Sequence, residues 1–279
     1  PEIESAGGEV VVGAEVAEIL MERGRAVGVR LFDDRELRAP AIISDAGVPS
    51  TVHRLLPPDA PGRRALASSL TSVKPSAAHI CLYVGLDATD RELGLGTSNL
   101  WIFPGPGHDA NIDRYLANPS APIPLTYISF PSAKDPDFQN RHPGKATIEV
   151  VSIAPYEWFS KWEEEAWQKR GETYESLKDR LTVRLLEVLG REVPQIAGKI
   201  GYHELSTPLS TRHFGGYESG EIYGIDHTPA RFKARGLRPN TPVPGLWITG
   251  QDVCTAGVAG ALYGGVLCAS AMLGKNLLR

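Results

Sequence analysis

Cysteine is scarce in this chain. There are three in 279 residues, Cys81, Cys254 and Cys268, far apart and never spaced as CxxC. That spacing offers neither a zinc site nor a disulfide framework, and a reducing compartment is the default expectation. The seven histidines are scattered with no HxxxH pair, so each reads as a surface or hydrogen-bonded histidine rather than a metal ligand. Runs of positive charge are also missing. Lys and Arg number 29 against 33 Asp and Glu, a formal net charge of −4, which argues against nucleic acid as the main partner. No GxxxxGK[ST] phosphate loop, internal repeat, low-complexity tract or signal-peptide pattern is visible. The first residue is Pro and the chain starts directly in strand-like sequence. We therefore expect a fragment or a processed product.

What is present has the profile of an ordinary folded protein, 42% hydrophobic and 22% charged, long enough for two domains. Residues 9–44 read as a β-meander. "VVVGAEVAEIL" is followed by "RAVGVRLF", in which Val27, Val29 and Leu31 alternate, and a turn at Asp33-Asp34 leads to a last apolar strand ending Ser44-Asp45-Ala46. Residues 48–70 read as a helix broken by Pro57-Pro58. Strands are expected in "AAHICLYVGL", "SNLWIFP", "PLTYISFPS" and "KATIEVVSIAP", with loop and at most one helical turn over 104–124. Within that loop, Gly105-Pro106-Gly107-His108-Asp109-Ala110 nominally resembles a phosphate-binding glycine pattern. No good helix or βαβ unit is expected around it, and it reads as a surface turn. Residues 157–190 read as helical, with Tyr174, Leu177, Leu181, Leu185 and Val188 on one apolar stripe. Residues 205–236 read as loop. This order places both ends of the chain in one domain and inserts a second, roughly 52–204, between them.

One long run is nearly free of charge: "GQDVCTAGVAGALYGGVLCASAMLG", Gly250 to Gly274, directly after the short strand "GLWITG". Its length approaches that of a membrane span. Its many glycines and alanines, and the strand just before it, favour a buried helix instead, with Thr255 as its N-cap. The first turn of such a helix offers free N–H groups and the positive end of the helix dipole. Gly257, Ala259 and Gly260 leave that end unobstructed, so an electron-rich ring could sit there. Asp252 could accept hydrogen bonds from sugar-like hydroxyls, or it could be a turn or capping aspartate; spacing alone leaves both open.

The segment from "TPLSTRHFGGYESGEIYGIDHTPARF" through "LRPNTPVPGLWITGQDVCTAGVAGALYGGVLCASAML" resembles the phytoene desaturase and retinol saturase superfamily of FAD-dependent oxidoreductases. The opening "GGEVVVGAEVAEILMERGRAVGVRLFDDRELRAPAIISDAG" resembles the part of those enzymes that re-enters the FAD domain. The retinol saturase branch is the closer one: bacterial phytoene desaturases more often carry Gly-Ala-x-x-x-Pro-Gly where this chain has Gly250-Gln251-Asp252. The resemblance implies an α/β plus α+β fold. An incomplete FAD-binding, glutathione-reductase-like domain (1–51 and 205–279) would carry an inserted mixed-sheet substrate domain (52–204).

The resemblance also implies FAD, hydride transfer at the flavin, and an apolar isoprenoid or polyene substrate that is saturated, desaturated or isomerised. It places Gly250 and Asp252 at the ribityl–pyrophosphate region. Val258, Ala259 and Gly260 would face the flavin through backbone N–H groups, and Val16 would touch adenine. Tyr83, Trp101, Phe103, Tyr127, Phe130 and Trp158 are candidates for an apolar cleft, though ordinary core packing is favoured for each, and Tyr223 would lie near the flavin. No catalytic acid or base is assigned. The family's GxGxxG is absent, so the expectation is weak or no FAD binding by this chain alone. The implied location is cytoplasmic, with membrane contact open for substrate access and no transmembrane span. A binding module for apolar ligands, derived from such a flavoenzyme but without redox activity, is the alternative.

Overall fold

A computed structural model describes residues 2–278. The chain divides into two compact units, 1–76 with 223–279, and 77–222. In chain order the first unit contributes β1 (Val16–Glu22), β2 (Arg25–Leu31), β3 (Glu36–Arg38) and β4 (Ile42–Ser44), then a helical segment Val48–Ser50 that widens into a π-helix over Thr51–Leu55, and α1 (Arg63–Ser68). The second unit follows with β5 (His79–Leu86), β6 (Leu100–Ile102), α2 (His108–Ala117), β7 (Thr126–Ser129), β8 (Ala146–Ile153), α3 (Gly171–Glu192), β9 (Ile200–Ser206) and α4 (Pro208–Gly215). The chain then returns to the first unit with α5 (Pro229–Lys233), β10 (Leu246–Ile248) and α6 (Gly257–Leu273).

In the first unit, β1, β2 and β3 form the expected antiparallel meander, with Ile19 opposite Val29 and Val29 opposite Leu37. Its turns use left-handed backbone at Arg23-Gly24 and at Asp34. β1 starts later than the apolar run suggested, because Gly13 turns the chain at positive φ and leaves Val10–Val12 exposed. β4 pairs with β10 in parallel, Ile42 opposite Leu246 and Ser44 opposite Ile248. One core holds Ile19, Ala26, Val52, Leu66, Ile225 and Leu246. The domain boundary expected at 51/52 falls inside this core. Val52, Leu56 and Leu66 bury their side chains there, so the unit runs on to Ser76, and its return begins at Tyr223 rather than at 205.

In the second unit, an antiparallel sheet of order β6-β7-β8-β5-β9 packs one face on α3. Strict alternation decides the faces. Ile80, Leu82, Val84 and Leu86 point to the core with Ile148 and Val150, where Leu181, Leu185 and Leu189 of α3 meet them. The apolar stripe thus forms as expected, but the helix starts at Gly171, not 157. Gln168 and Gly171 both take positive φ and interrupt the chain just before it; residues 156–162 are short 3₁₀ turns.

Three helices replace expected loop. α2 follows Gly107 directly, against the expectation that no helix would follow the glycines at 105–107. Its strand β6 is nevertheless an antiparallel edge strand, so no βαβ phosphate site exists there. α4 starts on a Thr207–Ser210 capping box, and the short α5 on Thr228.

Leu185 is fully buried in this core and Val183 is exposed. Leu185→Ala is expected to cost about 2–5 kcal/mol of unfolding free energy and Val183→Ala less than about 0.5 kcal/mol. Urea titration of the second unit's transition checks both.

Candidate functional site

The carboxyl ends of the parallel strands β4 and β10 lie side by side, where open α/β sheets bind ligands. From β10 the chain passes through Thr249, Gly250, Gln251 and Asp252 into α6. Asp252 is 3% exposed. Its Oδ2 accepts from the Val48 N–H at 2.8 Å and its Oδ1 from the Ile225 N–H at 2.9 Å. The aspartate therefore holds together three chain segments through their backbones. The turn-or-cap alternative describes this geometry better than an aspartate free to take sugar hydroxyls.

Arg231 on α5 clamps the same loop. It is buried, donating from Nη1 to the Cys254 carbonyl at 2.9 Å and from Nη2 to the Gln251 carbonyl at 2.5 Å. Burial lowers its pKa, with Asp252 opposing that shift. Gly250 sits against Asp45, where any Cβ would meet the carboxylate. Burial, and then the neighbouring Asp252, raises the Asp45 pKa.

α6 begins at Gly257 with Ala256 as its N-cap, and no side chain caps it. Thr255 is not the cap; its carbonyl packs under Gly260 instead. The first-turn N–H groups are thus free of side-chain partners. α6 is not a buried helix. It buries one narrow face, Gly260, Gly264 and Cys268, and leaves Val258 90% exposed along with Leu262 and Tyr263. A Cβ at Gly264 would strike the Gly250 carbonyl, so the GxxxG spacing lets the helix lie against its own entry loop. No helix among the described residues is long and apolar enough to cross a membrane.

In the second unit the sheet face opposite the core carries Cys81, Val151, Tyr127 and Trp101 in one cross-strand row. Tyr83 and Glu149 stand in the next row. Trp101 and Tyr127 pack at 4.8 Å between ring centres. Burial pushes the Cys81 thiol and the Tyr83 phenol up to about 12 each, so neither ionises near neutrality. Of the six cleft candidates, Tyr83, Trp101 and Tyr127 share this face. Phe130 is core, Trp158 packs on the buried Tyr115, and Phe103 meets His108 edge-on at the surface.

No protein-family model matches the chain. It is 37% identical to all-trans-retinol 13,14-reductase of Danio rerio, over 99% of this chain and 47% of that protein. It is 29% identical to the neurosporene-forming phytoene desaturase of Cereibacter sphaeroides, over 93% of this chain and 48% of that protein. The chain is a homologue of the retinol saturase and phytoene desaturase family. It spans about half the length of the curated relatives it matches. A second relative is the inactive all-trans-retinol 13,14-reductase of Danio rerio, 33% identical over 99% of this chain and 47% of that protein. Among solved structures, an oxidoreductase from Methanosarcina mazei superposes with a TM-score of 0.57 at 20% identity, covering 97% of this chain and 51% of that one. That likeness speaks for the fold.

Of the residues a retinol saturase homologue would bring to its cofactor, the structure gathers Gly250, Asp252, Val258, Ala259 and Gly260 into one loop and helix start. Val16 is elsewhere, half-buried at the start of β1 opposite Leu31. Tyr223 is exposed, its N–H donating to Ser76 Oγ at 2.9 Å. Sequence reasoning missed Arg231 and Asp45. Arg231 sits in the turn-rich "TPARF" segment, where a buried cation gives no periodic signal. Asp45 was visible only as the end of a strand.

Asp252→Asn places an amide N–H against one backbone donor. It is expected to cost about 1–3 kcal/mol, read as a lowered Tm in thermal unfolding. Asp45→Asn has the opposite sign. The folded state binds its proton more tightly than the unfolded state does, so ionisation is disfavoured by folding. The Asn variant is expected to be the more stable at about pH 7, with the gap closing below the ordinary carboxylate range near about pH 3. Tm against pH for both proteins measures it.

Proposed function

We propose that this chain is the carboxyl-terminal half of an FAD-dependent oxidoreductase. Its activity in complete form would be hydride transfer between flavin and an apolar isoprenoid or polyene substrate, as a saturase, desaturase or isomerase. The observation that carries this is the 37% identity to a retinol reductase along 99% of the chain. Local structure supports it. The β4–β10 sheet has two strands, whereas parallel sheets are normally larger and covered on both faces. Ile43 and the outer side of α6 are exposed apolar surface at this small sheet. An incomplete FAD domain accounts for both.

The residues present fit the flavin end of the cofactor. At the carboxyl end of β10, Thr249 Oγ1 is buried without a partner. The free N–H groups of Val258 and Ala259 at the start of α6 suit an electron-rich ring, and Gly257 has open space around it. A bound flavin supplies the hydride chemistry; the protein supplies position and field. Asp252 and Arg231 would hold the loop that presents these N–H groups, and the aromatic sheet face of the second unit would offer apolar packing for substrate. The glycine loop for the pyrophosphate is not in this chain, which supports weak FAD binding by these residues alone. The same reading places the enzyme in the cytoplasm, in peripheral contact with membranes that hold its substrate.

The inactive relative at 33% identity favours a second reading, a binding module for apolar ligands without redox activity.

Gel filtration of the chain after saturation with FAD separates these claims. FAD is expected to wash out; stoichiometric flavin absorbance in the protein peak would overturn the need for the missing half. The flavin site itself is checked by quenching of flavin fluorescence. Ala259→Trp, at an exposed position, is expected to weaken residual binding about tenfold without lowering Tm. Unchanged binding would remove Ala259 from the site.

A further inference from the structure

The second unit contains a cavity of about 640 Å³ beside the edge strand β9, lined in part by His79, Tyr83, Trp167, Arg170 and Phe214. Arg170 is only 9% exposed. Among the described residues its guanidinium donates one long hydrogen bond, 3.4 Å from Nη1 to the Tyr174 hydroxyl, and lies over the Tyr174 ring at 5.2 Å from its centre, a contact that offsets only part of the lost hydration. Nε is buried with no partner, and no carboxylate pairs with it. A guanidinium taken out of water without a counter-charge is costly. Its position adds to the cost, because Arg170 is the N-cap residue of the 22-residue helix α3. It therefore stands at the positive end of that helix's dipole, where an anion rather than a cation is stabilised. Both features point to a missing negative group.

The other charges around the cavity do not supply it. Lys178 pairs with Glu204 at 2.9 Å and lies 3.7 Å from Glu175, both carboxylates being half-exposed. Those two acids also limit the charge a ligand can bring, favouring a monoanion over a phosphate dianion. His79 Nδ1 is a second buried atom without a partner on the same cavity, and burial lowers the His79 pKa, which keeps the ring neutral. The remaining wall is aromatic. Trp167 stacks on His213 at 5.4 Å and meets the ring of Phe214 edge-on at 5.3 Å. Phe214 is 70% exposed, so its face is available.

We propose that this cavity binds a monocarboxylate on an apolar or polyene body, the carboxylate accepting from the Arg170 guanidinium and the body lying against Trp167, Phe214 and Tyr83. The site lies within the second unit and does not depend on flavin.

The test uses cis-parinaric acid, a fluorescent polyene acid, and its methyl ester, titrated into the chain without flavin. The acid is expected to bind about tenfold or more tighter than the ester, as a charge-assisted bond to a buried guanidinium requires. Phe214→Ala is expected to weaken acid binding severalfold, and Val183→Ala, on the exposed side of α3 away from the cavity, to leave it unchanged. Arg170→Gln is expected to abolish the acid's advantage while retaining ester binding. If Arg170→Gln does not fold, as judged by circular dichroism, the acid–ester ratio and the Phe214 and Val183 variants decide the matter. Equal affinity for acid and ester overturns the proposal, as does a preference that survives Arg170→Gln, or binding that tracks Val183 rather than Phe214. Absence of acid binding overturns it too.

Discussion

One buried carboxylate organises the first unit. Asp252 takes the N–H of Val48, 204 residues away in sequence, and the N–H of Ile225, 27 residues away. Both are backbone donors at places where the chain changes direction. Without that acceptor each would be a buried polar group with no partner, and each such loss is large against the small net stability of a domain. The same aspartate fixes where β10 ends and where α6 can begin. Arg231 completes the arrangement from the other side by holding the carbonyls of Gln251 and Cys254. The loop is thus tied at both ends to Arg231 and at Asp252 to Val48 and Ile225. A rigid loop is what a helix N-terminus needs if it is to present its free N–H groups to a ligand in one geometry.

The second unit follows from alternation. A period-two pattern on β5 and β8 sends aliphatic side chains to α3 and polar or aromatic ones to the other face. That second face has a row of rings and a thiol held neutral by burial. It is chemically quiet, suited to packing an apolar molecule rather than reacting with it.

Similarity to a retinol reductase along nearly the whole chain, set against half of that relative's length, fits the uncovered surfaces of the first unit. A two-stranded parallel sheet and a long helix with one buried stripe are each incomplete by ordinary packing standards. The exposed Val258, Leu262 and Tyr263 are not scattered; they fall on one side of α6. A helix in an undivided core would bury that side as well.

Much of the architecture was legible in the residues. The meander, the strands of the inserted unit, the apolar stripe of α3 and the strand–turn–helix at 246–273 all have periodicities or turn residues that act locally. Family resemblance rested on the same stretch. Other features had no local signature. α2 begins after Gly107 in turn-rich sequence with no side-chain cap, and nothing local marks its start. α6 reads as buried from composition, yet its glycines serve close approaches to the Thr255 and Gly250 carbonyls, and Val258, Leu262 and Tyr263 stay exposed. Asp252 could have been a ligand residue or a turn or capping aspartate from spacing alone. Its partners are 204 and 27 residues distant, and hydrogen bonds across such separations exist only once the chain has folded. Sequence therefore determined which segments become strand or helix, because that depends on neighbours along the chain. Tertiary structure decided which polar groups are spent on holding the fold and which, like the first N–H groups of α6 and the Nε of Arg170, remain without a side-chain partner.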